Sequence, residues 1–273
     1  MKKFFIIYAN LFILTFLSLN SFGQLTGVNT INASGTNFSG NPTGVSGINW
    51  TSVANAVTAL TSYGVSGPVT FNVATGSYSG RIVIAPITGA SSTNTISFIG
   101  TSRDSVTITF AGTAAATRAT VVLNGADYIT FKNIKITNTG ATYATSVLFT
   151  AQADYNIIDN CDLRIDSTST LVTANRLCNV LAASTEATDA SYGNCANYNL
   201  IQNCRIVGGN FGVKFNGTSA AVTCANNYIL KNIFRGQYTN CIYNYYQTGA
   251  RIENNYLYNV RNTASYGISS YYS

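Results

Sequence analysis

One short phrase recurs in this chain, and it limits the possible fold more than any other feature. The copies are "ADYITFKNIKI" (126–136), "ADYNIIDNCDLRI" (153–165), "ANYNLIQNCRI" (196–206) and the looser "ANNYILKNIFR" (225–235). The asparagines seven steps after each alanine are 27, 43 and 29 residues apart. Repeats of this length are typical of solenoids, in which insertions lie in loops between coils. We expect the 43-residue interval to hold such an excursion.

Each copy contains short strands rather than a helix. In "CDLRI" (161–165) every second residue is apolar, and Asp162 and Arg164 lie between them, which indicates a strand with one buried face. A further strand recurs later in the repeats as "SVLFT" (146–150), "GVKFN" (212–216), "CIYNY" (241–245) and "GISSY" (267–271). Three short strands per coil predict an all-β fold, a right-handed parallel β-helix solenoid.

The recurrent asparagines have a structural explanation in such a fold. They are Asn133, Asn160, Asn203, Asn232 and, in a degenerate fifth copy, Asn255. Asparagine tolerates the left-handed backbone that a sharp bend between strands requires, and stacked amides can hydrogen-bond along the axis. We therefore predict that these five residues form one axial ladder, with a catalytic role as the weaker alternative.

One helix is predicted, near the beginning of the chain. The pattern of "TSVANAVTALTSYG" predicts a helix over 52–63, with Thr51 as its cap and Gly64 at its end. The apolar residues of one face are Val53, Val57 and Leu60. Because the open end of a solenoid exposes core and strand edges, we expect this helix to cap the β-helix.

The chain divides into three regions. Residues 1–23 have the basic, apolar and small-residue parts of a signal peptide, with a membrane anchor as the alternative. An N-terminal segment and capping helix follow at 24–66, and the β-helix occupies 67–273. We expect a secreted or outer cell-surface protein with no membrane segment after signal removal. Because the sequence ends within a coil, we also expect further C-terminal modules of a longer chain.

Charge and cysteine content narrow the chemistry. The chain carries 15 basic and 9 acidic residues without any basic cluster, which argues against nucleic-acid binding. It has no histidine and no CxxC spacing among its 6 cysteines, which argues against zinc. The spacing places Cys161 and Cys204 as a ladder of buried thiols on neighbouring coils. Cys195 and Cys224, at a bend, are the better disulfide candidates, whereas Cys178 and Cys241 should not be bonded to each other.

Several segments resemble a known group of proteins. The stretches "GVSGPVTFNVATGSYSG", "ITGASSTNTISFIG" and "VVLNGADYITFKNIKITNTG" are similar to the N-terminal β-helix of large secreted or surface proteins of Bacteroidetes. That group is related to the pectin-lyase-like right-handed β-helices. The resemblance covers about 50–273 and implies the fold. Members of that group often carry adhesive modules and a C-terminal sorting domain, and neither is found in this sequence.

Polysaccharide cleavage is one function that this fold can support. Asp159 and Asp162 are the closest candidates for a pair of catalytic carboxylates, and Arg164 and Arg205 lie near them in the repeat. They are the candidate catalytic residues of a lyase or hydrolase, and "DNCDLRID" is the one local match to a calcium-assisted elimination site. The alternative is a structural role. The same position of the repeat holds, on three consecutive coils, Lys135, Asp162 and Arg205, whose alternating charges would stabilise the sheet as cross-strand neighbours. We favour the structural interpretation.

Carbohydrate binding or adhesion is the favoured function. The outward residues of the "SVLFT" strands form one predicted column: Leu148, Leu181, Lys214, Tyr243 and Ser269. The candidate contacts to a polysaccharide or cell-surface glycan are Lys214, Tyr243, Tyr245 and Tyr271. The alternatives are that these tyrosines only cover the flank of the solenoid, or that the chain is a structural stalk. No cofactor other than calcium is suggested.

Overall fold

A computed structural model shows the predicted β-helix. It describes residues 24–42, 45–165, 177–188, 190–193, 196–219, 222–262 and 266–272. The predicted signal peptide and the disulfide proposed for Cys195 lie outside the described residues. In the part of the chain that is described, no helix is long and apolar enough to cross a membrane.

Three long sheets contain nearly all the strands. Sheet A consists, in spatial order, of β2 (Asn49–Trp50), β1 (Leu25–Ile31), β3 (Val65–Val73), β6 (Ile96–Gly100), β9 (Ile129–Lys132), β12 (Ile157–Asp159), β15 (Leu200–Gln202), β19 (Tyr228–Leu230) and β23 (Arg251–Glu253). Sheet B consists of β4 (Gly76–Ser79), β7 (Val106–Phe110), β10 (Lys135–Asn138), β13 (Asp162–Arg164), β16 (Arg205–Val207), β20 (Ile233–Arg235) and β24 (Tyr256–Tyr258). Sheet C consists of β5 (Ile82–Ile84), β8 (Ala119–Asn124), β11 (Thr145–Thr150), β14 (Cys178–Ala182), β17 (Phe211–Asn216), β21 (Asn240–Tyr245) and β25 (Tyr266–Tyr271). A short parallel pair, β18 (Cys224–Ala225) and β22 (Gln247–Thr248), and a 3₁₀ turn, Ala115–Thr117, lie between coils.

The chain visits the three sheets in turn, which builds the solenoid. From β3 to β25 the order A, B, C repeats through seven coils of the described chain. The strands of all three sheets pair in parallel. The parallel β-helix and its three strands per coil are thus confirmed. Sheet A extends beyond these coils, because β1 pairs with β3 and lies within the segment that precedes residue 67.

The core follows from the inward residues of each strand. In sheet A, Phe71, Phe98 and Phe131 stack on successive coils with ring centroids 5.0 Å apart in both pairs. Ile158 and Ile201 continue this column, and all five side chains are fully buried. Burying each such side chain stabilises the fold by roughly 1.5–3 kcal/mol. The alternation seen in the sequence therefore produces one continuous apolar axis.

The helix forms where the sequence places it. Helix α1 spans Val53–Tyr63 and ends at Gly64, whose φ of 67° lies in the left-handed region. Its cap is Ser52 rather than the predicted Thr51, because the Ser52 hydroxyl accepts the N–H of Asn55 at 3.1 Å. The buried residues are Val53, Ala56, Val57, Ala59 and Leu60. The helix packs against β5, β1 and β2, at the end of the solenoid where the first full coil begins.

The asparagine ladder is partly as predicted. Asn133, Asn160 and Asn203 occupy one column at the bend between sheets A and B, with φ between 51° and 56°. The Asn160 amide donates to Oδ1 of Asn133 at 2.7 Å. The prediction is wrong for Asn232 and Asn255, which lie one residue further along and pair with each other at 3.1 Å.

The shift has a local cause in the fourth copy of the repeat. There the left-handed positions are Lys231 and, one coil later, Asn254, with φ of 57° and 56°. Counting back from the paired strands β15 and β19, Cys224 stands where the earlier copies have alanine, so Ala225 is not the equivalent residue. An alignment on the alanine therefore moves the asparagine by one step.

A second asparagine ladder lies inside the fold and was not predicted. Asn156, Asn199 and Asn227 are at most 2% exposed and stack on consecutive coils. The Asn199 amide donates to the Ala153 carbonyl at 3.0 Å and to Oδ1 of Asn227 at 3.2 Å, and its Oδ1 accepts the Asn156 N–H at 2.9 Å. These amides satisfy backbone groups that the bends leave unpaired.

The thiol ladder is also present. Cys161 and Cys204 are free, buried cysteines on the inward side of neighbouring coils. Burial, together with the neighbouring Cys161 thiol, raises the pKa of the Cys204 thiol well above its ordinary value. Both residues behave as core side chains, as the sequence predicts.

Candidate carbohydrate-binding site

The predicted outward column exists, but most of it is buried. Strand pairing aligns Leu148, Leu181, Lys214, Tyr243 and Ser269 on successive coils of sheet C, which confirms the register. The two leucines are fully buried, the lysine is 5% exposed and the serine 7% exposed. Only the tyrosine of this column is partly accessible. The expectation that the column faces solvent is therefore wrong for its other members.

The chain that follows β14 explains this burial. Glu186 forms an ion pair with Arg81 and accepts the N–H of Ala119 at 2.7 Å, at the beginning of the sheet C strands. Tyr192 then contacts Tyr245 at the other end of these strands, with ring centroids 5.2 Å apart. Residues on the outer side of the sheet form a second apolar cluster: Ala119, Val122, Leu148, Cys178, Leu181, Ala183 and Phe211. The excursion expected in the 43-residue interval thus passes across this side.

Lys214 belongs to this buried layer. Its ammonium lies 4.6 Å from the ring centroid of Phe211 and 5.2 Å from that of Tyr243. Contacts of this kind contribute roughly 0.5–2 kcal/mol, more when they are desolvated. Lys214 therefore supports the ring of Tyr243 from within and does not form an exposed contact surface.

The predicted tyrosines do come together at the end of sheet C. Ring centroids of Tyr243 and Tyr271 are 5.7 Å apart, and that of Tyr245 lies 6.2 Å from each of them. Three further tyrosines join them, giving a group that we name the tyrosine cluster: Tyr192, Tyr243, Tyr245, Tyr246, Tyr271 and Tyr272. The cluster combines half-buried rings with rings that face solvent.

Of the three additional tyrosines of the cluster, two could have been predicted from the repeat and one could not. Tyr246 and Tyr272 stack at 4.7 Å and an interplanar angle of 13°, both in left-handed bend positions. The last two tyrosines of "YNYY" and the two of "SSYY" align on neighbouring coils. The repeat therefore predicts that Tyr246 and Tyr272 lie next to each other. Tyr192 lies in the aperiodic excursion, where no repeat indicates it. The exposed fractions are 46% for Tyr192, 45% for Tyr271 and 67% for Tyr272.

Two phenol groups of the cluster have raised pKa values. Burial, and then the neighbouring phenols, raises the pKa of Tyr243. The same causes raise the pKa of Tyr246. A neutral phenol can both donate and accept a hydrogen bond, while its ring provides an apolar face. Such a surface suits a ligand that has apolar faces and hydroxyl edges.

The candidate catalytic carboxylates are engaged by other side chains. Asp159 is 8% exposed; Lys132 contacts its Oδ2 at 2.9 Å, and the Asn203 amide donates to its Oδ1 at 2.8 Å. Asp162 is fully buried; Arg164 contacts its Oδ1 at 2.8 Å and Arg205 its Oδ2 at 2.9 Å. Every carboxylate oxygen of this pair thus has a cationic or amide partner.

The charged column of sheet B has the predicted register. Lys135, Asp162 and Arg205 are direct neighbours on three coils. Arg205 also forms an ion pair with Asp104, and this hydrogen-bonded partner lowers the pKa of the Asp104 carboxyl. The ion pair with Asp162 raises the pKa of Arg164. Within the described ranges, no three Cys, Asp or Glu side chains come together as ligands for a metal such as calcium.

A second aromatic group, separate from the tyrosine cluster, lies at a bend before sheet A. Tyr128, Tyr155 and Tyr198 stack with centroid distances of 5.1 and 4.7 Å and interplanar angles of 6° and 2°. The ring of Tyr155 is stacked on both faces, whereas Tyr128 and Tyr198 each use one face within the group. This geometry suits a stabilising ladder better than a platform for a ligand.

Comparison with solved structures supports the fold. YbhC of Escherichia coli has a TM-score of 0.53 at 13% identity, over 86% of this chain and 65% of that one. A rhamnogalacturonan lyase has a TM-score of 0.50 at 11% identity, over 89% of this chain and 60% of that one. The pectin methylesterase of carrot has a TM-score of 0.48 at 14% identity, over 91% of this chain and 89% of that one.

These likenesses define the fold class. The chain shares the parallel β-helix with pectin-lyase-like proteins, and it spans less than two thirds of the length of the first two neighbours. No protein-family model matches the sequence, and no curated protein matches it.

Proposed function

We propose that this protein is a secreted or cell-surface β-helix that binds a glycan through the tyrosine cluster and does not cleave it. It would act in adhesion or carbohydrate capture, as part of a larger surface protein of the kind found in Bacteroidetes. The observation that carries the proposal is the cluster itself, with three of its six rings at least 45% exposed. An exposed aromatic surface of this kind supports a role in binding, because large exposed apolar patches are commonly interaction or ligand-binding sites.

The chemistry of the cluster supports a sugar ligand. Tyr245 lies between more exposed neighbours, with its ring 5.7 Å from that of Tyr272 at an angle of 89°. Rings in different orientations can contact more than one face of a sugar chain, and their hydroxyls can bond its oxygens. The parallel strands beneath hold the rings on a rigid frame, which lowers the entropic cost of binding.

Polysaccharide cleavage is the second candidate, because structural neighbours include pectin methylesterases and a rhamnogalacturonan lyase. A general acid or base must reach the proton that it transfers. Asp162 is fully buried and holds two arginines, and both oxygens of Asp159 are engaged. These contacts favour a structural charge network over a catalytic pair.

A glycan array with labelled protein tests the proposal. We expect saturable binding of at least one glycan, and about 2- to 13-fold weaker binding by Tyr271→Ala, since one stacked aromatic contact contributes about 0.5–1.5 kcal/mol. Tyr256→Ala is the matched control, because Tyr256 is 64% exposed and lies on sheet B outside the cluster. The control should bind like the unmodified protein.

Two outcomes would contradict the proposal. One is an array without saturable binding of any glycan by a protein whose circular dichroism shows the folded β-helix. The other is glycan turnover that Asp162→Ala abolishes while Tyr271→Ala retains it, because the carboxylate would then be the functional centre.

A further inference from the structure

A cavity on the outer side of sheet B is lined by three arginines. It has a volume of about 340 Å³, and its lining residues are Arg164, Val207, Arg235, Gly236, Asn259 and Arg261. Among these described residues there is no carboxylate. The cavity lies on a different sheet from the tyrosine cluster.

The repeat itself builds the two sides of this cavity. Strand pairing places Arg164, Val207 and Arg235 in one column, so the two arginines are two coils apart, about 10 Å between Cα atoms. The short side chain of Val207 stands between two long ones and leaves a depression. Gly236, which follows Arg235, adds no side chain to the floor.

The third arginine comes from the loop after β24. The Arg261 Nε donates to the Gly236 carbonyl at 2.9 Å, and its guanidinium lies 5.4 Å from the ring of Tyr238. These contacts fix the side chain against the cavity. Arg235 is supported in a similar way by the ring of Tyr258, at 5.8 Å.

The cavity has excess positive charge. Arg164 is paired with Asp162, whereas Arg205 contacts both Asp162 and Asp104, so this network contributes no free carboxylate to the cavity. Within the described part of the chain, Arg235 has no acidic partner at ion-pair distance. Arginine side chains gathered in one cavity attract an anion, and their forked donors suit oxyanions.

We propose that this arginine cavity binds a sulfate ester carried by a glycan. The proposal rests on the proposed glycan-binding function and adds the chemical class of the ligand. A sulfate ester has three terminal oxygens around one centre, which suits a cavity that three arginines line. A carboxylate has two oxygens, and one arginine fork satisfies both. The exposed amide of Asn259 is placed to bond the hydroxyls of the attached sugar.

Titration with small soluble probes tests this site apart from the tyrosine cluster. The probes are galactose 6-sulfate, galacturonate, galactose and sodium sulfate, and the readout is the ¹H–¹⁵N signal of the arginine Nε groups. We expect galactose 6-sulfate to shift the signals of Arg164, Arg235 and Arg261, and galacturonate to bind about tenfold more weakly, because it engages fewer forks.

Variants then separate the cavity from bulk charge. Arg235→Gln should weaken binding of galactose 6-sulfate about tenfold, and Arg235→Lys should restore only part of it, because lysine lacks the fork. Lys231→Gln is the control: it removes the same charge from an exposed position four residues away, and binding should be unchanged.

Each remaining outcome overturns a defined part of the inference. Equal weakening by Lys231→Gln would mean that binding is unspecific charge attraction. If galacturonate binds as tightly as galactose 6-sulfate, the assignment of a sulfate ester is wrong. If sodium sulfate binds as tightly as galactose 6-sulfate, the sugar makes no contribution and the assignment of a glycan ligand is wrong. The protein could also bind galactose 6-sulfate at the arginine cavity while its glycan binding on the array is unaffected by Tyr271→Ala. That result would refute glycan binding through the tyrosine cluster and leave the arginine cavity as a binding site.

Discussion

The buried asparagine ladder offers a strong test of how this solenoid is held together. Replacing Asn199 with alanine removes an amide that is 1% exposed and makes three hydrogen bonds. The change leaves the N–H of Asn156 and the carbonyl of Ala153 without these partners in the interior. A buried unpaired group costs about 1–3 kcal/mol. With the small cavity added, we expect a loss of about 3–5 kcal/mol in the free energy of unfolding.

Asn254→Ala is the matched control for this variant. Asn254 is exposed and has a φ of 56°, so its replacement should cost only the left-handed backbone preference, about 1 kcal/mol. Urea unfolding gives both values, and native-state hydrogen exchange at the Asn156 amide locates the effect. A difference of less than about 1 kcal/mol between the two variants would refute the view that buried amides hold the coils.

Two further predictions concern groups that the fold buries. Cys161 and Cys204 should resist a maleimide in the native protein and react after unfolding, because both side chains are buried and burial also raises the pKa of the Cys204 thiol. A Cys161–Cys204 crosslink in an unreduced digest would contradict this prediction. Burial also raises the pKa of Asp127 and Asp154 above the ordinary value of 3.8, so their contribution to stability is present below that value and is lost as pH rises through the folded-state pKa. As the pH rises from about 4 to about 7, the melting temperature of Asp154→Asn should therefore fall less than that of the unmodified protein. The same pH profile for both proteins would contradict this prediction.

The fold was predictable from the sequence because each coil has the same pattern of inward apolar and outward polar residues. Period-two alternation identifies strands, and the spacing of the repeat places them on top of one another. The predicted neighbours Leu181 and Lys214, or Asp162 and Arg205, are indeed paired. Local pattern is sufficient for these features because neighbouring coils contact each other residue by residue.

The environment of the outer faces could not be derived in this way. Alternation shows that Leu148 points away from the axis, but not that the chain around Glu186 crosses that side and buries it. Tyr192 and Arg261 likewise come from segments outside the repeat, so no column predicts their place in the tyrosine cluster or the arginine cavity. The exposed surfaces therefore depend on insertions, whose sequences have no period.

Isothermal titration calorimetry with one glycan from the array tests most directly whether the protein binds without cleaving. A binding protein gives heats that saturate and then return to the dilution baseline, and Tyr243→Ala should reduce or abolish them. A polysaccharide-cleaving enzyme gives a sustained heat signal after each injection as substrate is consumed. Saturating heats that depend on the tyrosine cluster are the predicted result. Sustained heat that Asp162→Ala removes would contradict it.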